Sequence, residues 1–202
     1  MVKDHVHFSH VSKTGDQIPS CGFPVGETCR PDAPCRLLCY GRRGRFAFAH
    51  NKDLLETNLE IWHENPAFFR QEVIITSFPA KFFRWFPIGD IPDPQFYAMM
   101  CDVCSDVPGT RYLAFTKKYE IVNDYLDHYE EPDNLTTVLS AWGDFVPENP
   151  HNLPVAYIRL KNQQCSIPKD AYECPLFCGN CVLTGHSCWD LKRGESVVFN
   201  QH

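Results

Sequence analysis

Between residues 52 and 160 the chain alternates stretches of helical period with short runs rich in strand formers, and this alternation restricts the fold more than any other feature. The segment 52-KDLLETNLEIWHE-64 sets Leu55, Leu59 and Trp62 on one helix face, and Asn65-Pro66 supplies an N-cap and first-turn proline for a second helix, 67-AFFRQEVII-75. The aromatic run 81-KFFRWFPIGDI-91 predicts a buried strand, followed by a helix over 94–107, a strand over 111–116 and a helix over 118–129. Strands over 136–141 and 154–160 complete the series. Strands separated by helices need crossover connections, so the expectation is an α/β fold with a mainly parallel sheet. The rhythm also admits curvature into a partial TIM-barrel-like form. Its spacing is that of any βα repeat and says nothing about function.

Composition fits one globular domain over 1–202, with 44% hydrophobic and 22% charged residues. It divides into a cysteine-rich segment (1–50), the βα core (51–160) and a second cysteine-rich segment (161–202). A formal charge of -6 argues against a generic polyanion binder. The local run 42-RRGR-45 offers Arg42, Arg43 and Arg45 to a nucleic acid or another anion, with a solvated charge run as the plain alternative. The opening MVKDHVHFSH lacks the apolar run of a signal peptide, and nothing approaches the ~20 apolar residues of a membrane span, so no membrane partner and a cytoplasmic location are expected. Eleven cysteines in a reducing compartment are poorly explained as disulfides, and the number is odd.

Polar residues stand where the apolar strands stop: Gly89-Asp90, Thr116-Lys117, and Ser140 with Trp142. In parallel α/β folds those strand ends share one rim, where ligands bind. Asp90, Thr116 and Lys117 are the candidate catalytic residues; helix capping is the alternative for each.

The cysteines gather at both ends of the chain. In 29-CRPDAPCRLLCYG-41 the spacing is C-x5-C-x3-C, and Cys174, Cys178 and Cys181 follow C-x3-C-x2-C with Cys188 seven residues on. Crowding thiolates is unfavourable unless a cation or cluster joins them. The proline and glycine punctuation reads as loops with little core in which to bury apolar cysteines. Structural zinc favours paired short arms, whereas iron–sulfur clusters accept three or four thiolates at mixed short spacings, so spacing favours iron–sulfur and leaves zinc as the alternative. One or two 4Fe-4S clusters are expected on Cys29, Cys35, Cys39, Cys174, Cys178, Cys181 and Cys188. Cys101 and Cys104 share a helix face and read as packing residues; apolar burial is common for an isolated cysteine such as Cys165, but neither it nor Cys21 has an assigned role.

The ordered runs SCGFPVGETCRPDAPCRLLCYGRRGRFAFAH, RWFPIGDI, LAFTKKYEIVN, LSAW, NLPVAYI and CPLFCGNCVLTGHSCWDLKRGESVVFNQH resemble the phage gene product 88 family from about Ser20 onward. The resemblance implies a cysteine-rich α/β domain similar to a reduced radical S-adenosylmethionine barrel, and a host-cytoplasm location for a phage-encoded chain. Radical S-adenosylmethionine enzymes commonly carry C-x3-C-x2-C after the first barrel strand. Here that literal spacing is C-terminal, the N-terminal loop departs from it, Asn180 stands where the motif has an aromatic, and Cys188 offers a fourth thiolate. The expectation is an iron–sulfur protein whose rim holds a small-molecule or nucleotide-like substrate, with S-adenosylmethionine as its cofactor. The alternative is a non-catalytic module, stapled by zinc or iron–sulfur, that binds a nucleic acid or a host protein.

Overall fold

The computed structural model describes residues 5–10, 18–161, 166–185 and 187–201; Cys165 lies outside them. The elements run β1 (Phe8–His10), β2 (Pro19–Cys21), α1 (Ala49–Glu64), α2 (Pro66–Ser77), β3 (Phe82–Trp85), α3 (Pro94–Asp106), β4 (Arg111–Thr116), α4 (Tyr119–Leu126), β5 (Leu135–Ser140), β6 (Val155–Arg159), β7 (Tyr172–Glu173), α5 (Cys178–Thr184) and β8 (Ser196–Asn200). Helix starts follow local chemistry. The Asn65 side chain accepts from Phe68 N at 3.1 Å, and Asp93 accepts from Phe96 N at 2.8 Å while also taking the Trp62 indole N–H at 2.7 Å.

One eight-stranded sheet has the order β1-β2-β3-β4-β5-β6-β8-β7. Every ladder is parallel except β1 with β2. From β2 to β6 each strand lies beside its predecessor, so right-handed crossovers step in one direction and put their helices on one face. On that face Phe83, Trp85, Tyr112, Ala114, Leu135 and Leu139 join Trp62, Phe69, Phe96 and Val103 in the main core. The opposite face turns Leu113, Val138, Ala156 and Val197 toward Trp189, with Phe82, Phe115 and Phe199 alongside. The sheet is open, with β1 and β7 at its edges, so the expected parallel α/β architecture is present without closure.

The strand expected over 81–91 ends at Trp85 because the chain leaves the sheet at Phe86, whose φ of 51° is followed by Gly89 at 77°. Phe86 N still bonds Cys21 O at 2.8 Å, which fixes the exit against the end of β2. Helix α4 stops at Leu126, short of the expected 129, while β5 and β6 match their expected runs to within one residue at either end. Sequence periodicity missed β1, β2, β7 and β8, which are only two to five residues long.

Candidate functional site

The N-terminal cysteines occupy the connection between β2, the first parallel strand, and α1. This loop is fitted onto the turn after β3. Phe23 N donates to Ile88 O at 3.1 Å, and the Tyr40 hydroxyl donates to the Pro87 carbonyl. Close approach demands small residues here: a Cβ on Gly41 would meet Ile88 Cδ1 and Val25 Cγ2 at 2.7 Å, and one on Gly89 would meet Phe23 O at 2.5 Å. Cys29, Cys35 and Cys39 are thereby held, half-buried, at the C-terminal rim of the sheet.

Asp90 is the clasp of that rim. Its buried carboxylate accepts from Thr116 Oγ1 at 2.5 Å, Lys117 N at 2.9 Å and Ile91 N at 2.9 Å, tying the exit of β3 to the end of β4. Its own N–H donates to Thr28 Oγ1 at 3.0 Å, one residue before Cys29. Burial raises the Asp90 carboxyl above its ordinary value, and these donors oppose the rise. Arg30 braces the same corner through ion pairs to Asp32 and Glu120 and lies 5.4 Å from the Tyr119 ring. Burial pushes the Cys29 thiol up, with Asp90, Cys39 and Cys35 adding to the rise; burial likewise raises Cys35, while the Lys117 ammonium pulls it back down. Three thiols, one carboxylate and one ammonium therefore share one electrostatic neighbourhood.

The C-terminal cysteines lie on the sheet face opposite the helices. Cys174 N donates to Val198 O at 2.9 Å, and Cys178 and Cys181 belong to α5, which ends at Gly185 in the left-handed region. Cys188 starts a single 3₁₀ turn closed by Ser187 and Asp190. Trp189 anchors this turn: its indole N–H donates to Phe83 O at 3.1 Å, and its carbonyl accepts from Thr136 Oγ1 at 3.0 Å and from Arg111. The four cysteines line one small recess with Arg84, Leu113, Phe115, Tyr172, Trp189 and Phe199. The Tyr172 hydroxyl hydrogen-bonds the Cys181 sulfur. Burial, then Cys174 and Cys178, drives the Cys188 thiol up to about 12, against the pull of Arg84.

One expectation changes here. The 174–188 segment is not a coreless loop: α5 is helical, Cys181 is buried, and Cys174, Cys178 and Cys188 pack against the Trp189 cluster. The Asp90 carboxylate is engaged by three donors at the rim. The cysteine groups fit a thiophilic metal or cluster in donor chemistry, since a cation would offset the mutual repulsion of the thiolates in each set. Among the described residues, no group of three or more His, Cys, Asp or Glu side chains is arranged so that it could hold a metal ion as it stands, and no disulfide joins any described cysteine.

Cys101 and Cys104 are buried in the main core, in keeping with packing. Burial pushes Cys101 up to about 12. Arg42 and Arg43 are exposed beside the rim loop, and the Arg45 side chain lies outside the described residues. Arg84, Tyr40, Thr28 and Tyr172 were not singled out from sequence. Of these only Arg84 carried a signal, a charged residue inside the aromatic run 82-FFRWF-86.

No helix among the described residues is long and apolar enough to cross a membrane. Neither a curated protein nor a solved structure matches the chain. The Gene product 88 family model matches residues 6–182, most of the chain's length and all of the rim loop and βα core, and the chain belongs to that family.

Proposed function

We propose that this is an iron–sulfur protein built on a partial, radical S-adenosylmethionine-like barrel, in which Cys29, Cys35 and Cys39 hold a 4Fe-4S cluster at the rim. The observation that carries this reading is the placement of the three thiols in the loop after the first parallel strand, beside the ends of β3 and β4. Cys29, Cys35 and Cys39 would hold such a cluster through three thiolates, and it would supply electrons to a ligand bound beside it. The chain's own residues do the rest. Lys117 faces Cys35 and can pair with a carboxylate or phosphate of S-adenosylmethionine or of a small-molecule or nucleotide-like substrate. Asp90 keeps Thr116 and the Lys117 backbone in register with the cysteine loop. Tyr40 and Gly41 seat that loop on Pro87 and Ile88, so the thiols keep one orientation toward the strand ends.

The test is anaerobic reconstitution with iron and sulfide, then electron paramagnetic resonance of the reduced protein with and without S-adenosylmethionine. A ligand-dependent change in the spectrum, lost in Cys35→Ser, is expected. A colourless protein with stoichiometric zinc and no iron or sulfide overturns the reading. A second reading, a metal-stapled binding module, draws on the exposed Arg36, Arg42 and Arg43 beside Leu37 and Phe48, which are 85% and 66% exposed. That surface suits an acidic protein or a nucleic acid, and the zinc outcome would favour it.

A further inference from the structure

Among the described residues, the cysteines of the two chain ends fall in two groups. Cys29, Cys35 and Cys39 lie in the loop between β2 and α1. Cys174, Cys178, Cys181 and Cys188 line one recess with Arg84. The first set sits at the C-terminal strand ends. The second is tied through Trp189 to Phe83, Arg111 and Thr136, near the starts of β3, β4 and β5.

Arg84, on β3, lines the recess of the four C-terminal cysteines. Its guanidinium carbon stands 5.4 Å from the Phe115 ring centroid, and its Nε is buried with no hydrogen-bond partner. A cation with a buried, unanswered N–H is costly unless an anion faces it. Thiols are neutral and do not meet that need, whereas four thiolates around a divalent zinc or a 4Fe-4S core form a dianion that does.

We infer that Cys174, Cys178, Cys181 and Cys188, which share one recess but are not arranged for a metal as they stand, close around one on binding to form a second metal centre, distinct from the rim thiols, in which four thiolates complete the coordination and Arg84 balances the resulting negative charge. It takes a thiophilic metal, either zinc or an iron–sulfur core, and has no open position for substrate. Tyr172 supports it by holding the Cys181 sulfur. The inference deepens the iron–sulfur reading by dividing the cysteines into an open site and a closed one, yet the closed site stands even if the rim proves inactive.

The experiment isolates the closed site in the full-length variant Cys29→Ser/Cys35→Ser/Cys39→Ser and titrates it anaerobically with cobalt(II). One equivalent is expected, with intense thiolate-to-cobalt charge transfer and the visible envelope of a tetrahedral ion. Adding Cys178→Ser and Cys188→Ser should abolish the band, with circular dichroism checking that the βα core persists. Arg84→Gln should weaken cobalt affinity about tenfold, in the range seen when a partner of a metal's ligands is removed, and Arg84→Lys should restore most of it. Metal analysis of the rim variant after reconstitution separates the sources: iron with sulfide marks an iron–sulfur core, zinc alone a structural ion, and both support a closed site. A rim variant that binds no cobalt, or a band indifferent to Cys178→Ser and Cys188→Ser, overturns the inference. A rim that fails to respond to S-adenosylmethionine while the cobalt band survives sinks only the radical reading.

Discussion

Replacing Gly89 by alanine tests whether the seating of the cysteine loop on the β3 exit is as tight as the geometry requires. Two penalties act there. Gly89 has φ of 77°, where a Cβ costs roughly 1–2 kcal/mol, and that Cβ would lie 2.5 Å from the Phe23 carbonyl oxygen, a backbone atom that cannot rotate away. Forcing the two backbones apart adds about 1–3 kcal/mol, the ordinary cost of overpacking. The sum is about 2–5 kcal/mol. For a chain of this size that lowers Tm by roughly 4–20 °C, at about 2–4 °C per kcal/mol. Two other glycines separate the penalties. Gly44→Ala has the same handedness problem, with φ of 58° but nothing within 4 Å, and should lose only about 1–2 kcal/mol. Gly109→Ala meets neither obstacle and should change stability by no more than about 0.5 kcal/mol. Urea unfolding followed by circular dichroism gives all three values. If Gly89→Ala costs no more than Gly44→Ala, the close approach is not rigid and the loop is not seated by it.

Asp90→Asn tests the clasp through pH. Because burial raises the folded pKa, the native protein holds this proton at higher pH than the unfolded chain does. The group's contribution is therefore fullest at acid pH, below the unfolded value, and is lost as pH rises through the folded value; urea midpoints followed upward from about pH 4 should fall less steeply in the variant. Lys117→Met should raise the Cys35 thiol further and slow its alkylation in the metal-free protein at mildly alkaline pH, while Cys29, raised by burial, Asp90 and its neighbouring thiols, keeps its rate; mass spectrometry of the labelled peptides reads both. Trp189→Phe keeps an aromatic beside Phe82 but removes the indole bond to the Phe83 carbonyl, an oxygen the β3–β4 ladder still engages, and should cost about 0.5–1.5 kcal/mol in the same unfolding assay.

The helices α1, α2 and α3 and the strands β4, β5 and β6 were legible because burial imposes a period on them, and a period survives in sequence. Strands β1 and β2 were not, because three residues cannot display alternation and β2 begins with a proline. The end of β3 was misread for a different reason. Phe86 adopts a positive φ that its residue type disfavours, and only the pairing of its N–H with Cys21 O reveals why. At the rim, the strand-end rule located Asp90, Thr116 and Lys117 correctly but not their division of labour: a carboxylate that accepts three hydrogen bonds looks, in sequence, like one that accepts none. The C-terminal cysteines were misjudged as coreless because Gly179 and Asn180 suggest a bend, whereas both fall in the first turn of α5, where neighbouring hydrophobic packing decides the conformation.

A sheet whose crossover helices share one side must bury its other face by different means. In a closed barrel the strands do this for one another; in this open sheet the segment from Cys174 to Leu191 lies against Phe82, Leu113, Phe115 and Val138. That segment contributes one large buried side chain, Trp189, and leaves Leu183 85% exposed, so apolar area alone ties it down weakly. Its side-chain-mediated polar attachments, the Arg111–Asp190 ion pair at 2.7 Å and the bonds to the Trp189 carbonyl, gather at one end, around the 3₁₀ turn, while Cys174 N bonds Val198 O at the other. The other end, from Cys174 through α5, has its cysteines in the recess beneath. A metal shared by Cys174, Cys178, Cys181 and Cys188 would fasten that weaker end to the well-anchored turn, and its ligation free energy would be folding free energy for the whole segment. Losing the metal should then free α5 while the helical face of the sheet stays closed, because Phe69, Trp85 and Phe96 pack there without involving any of these cysteines.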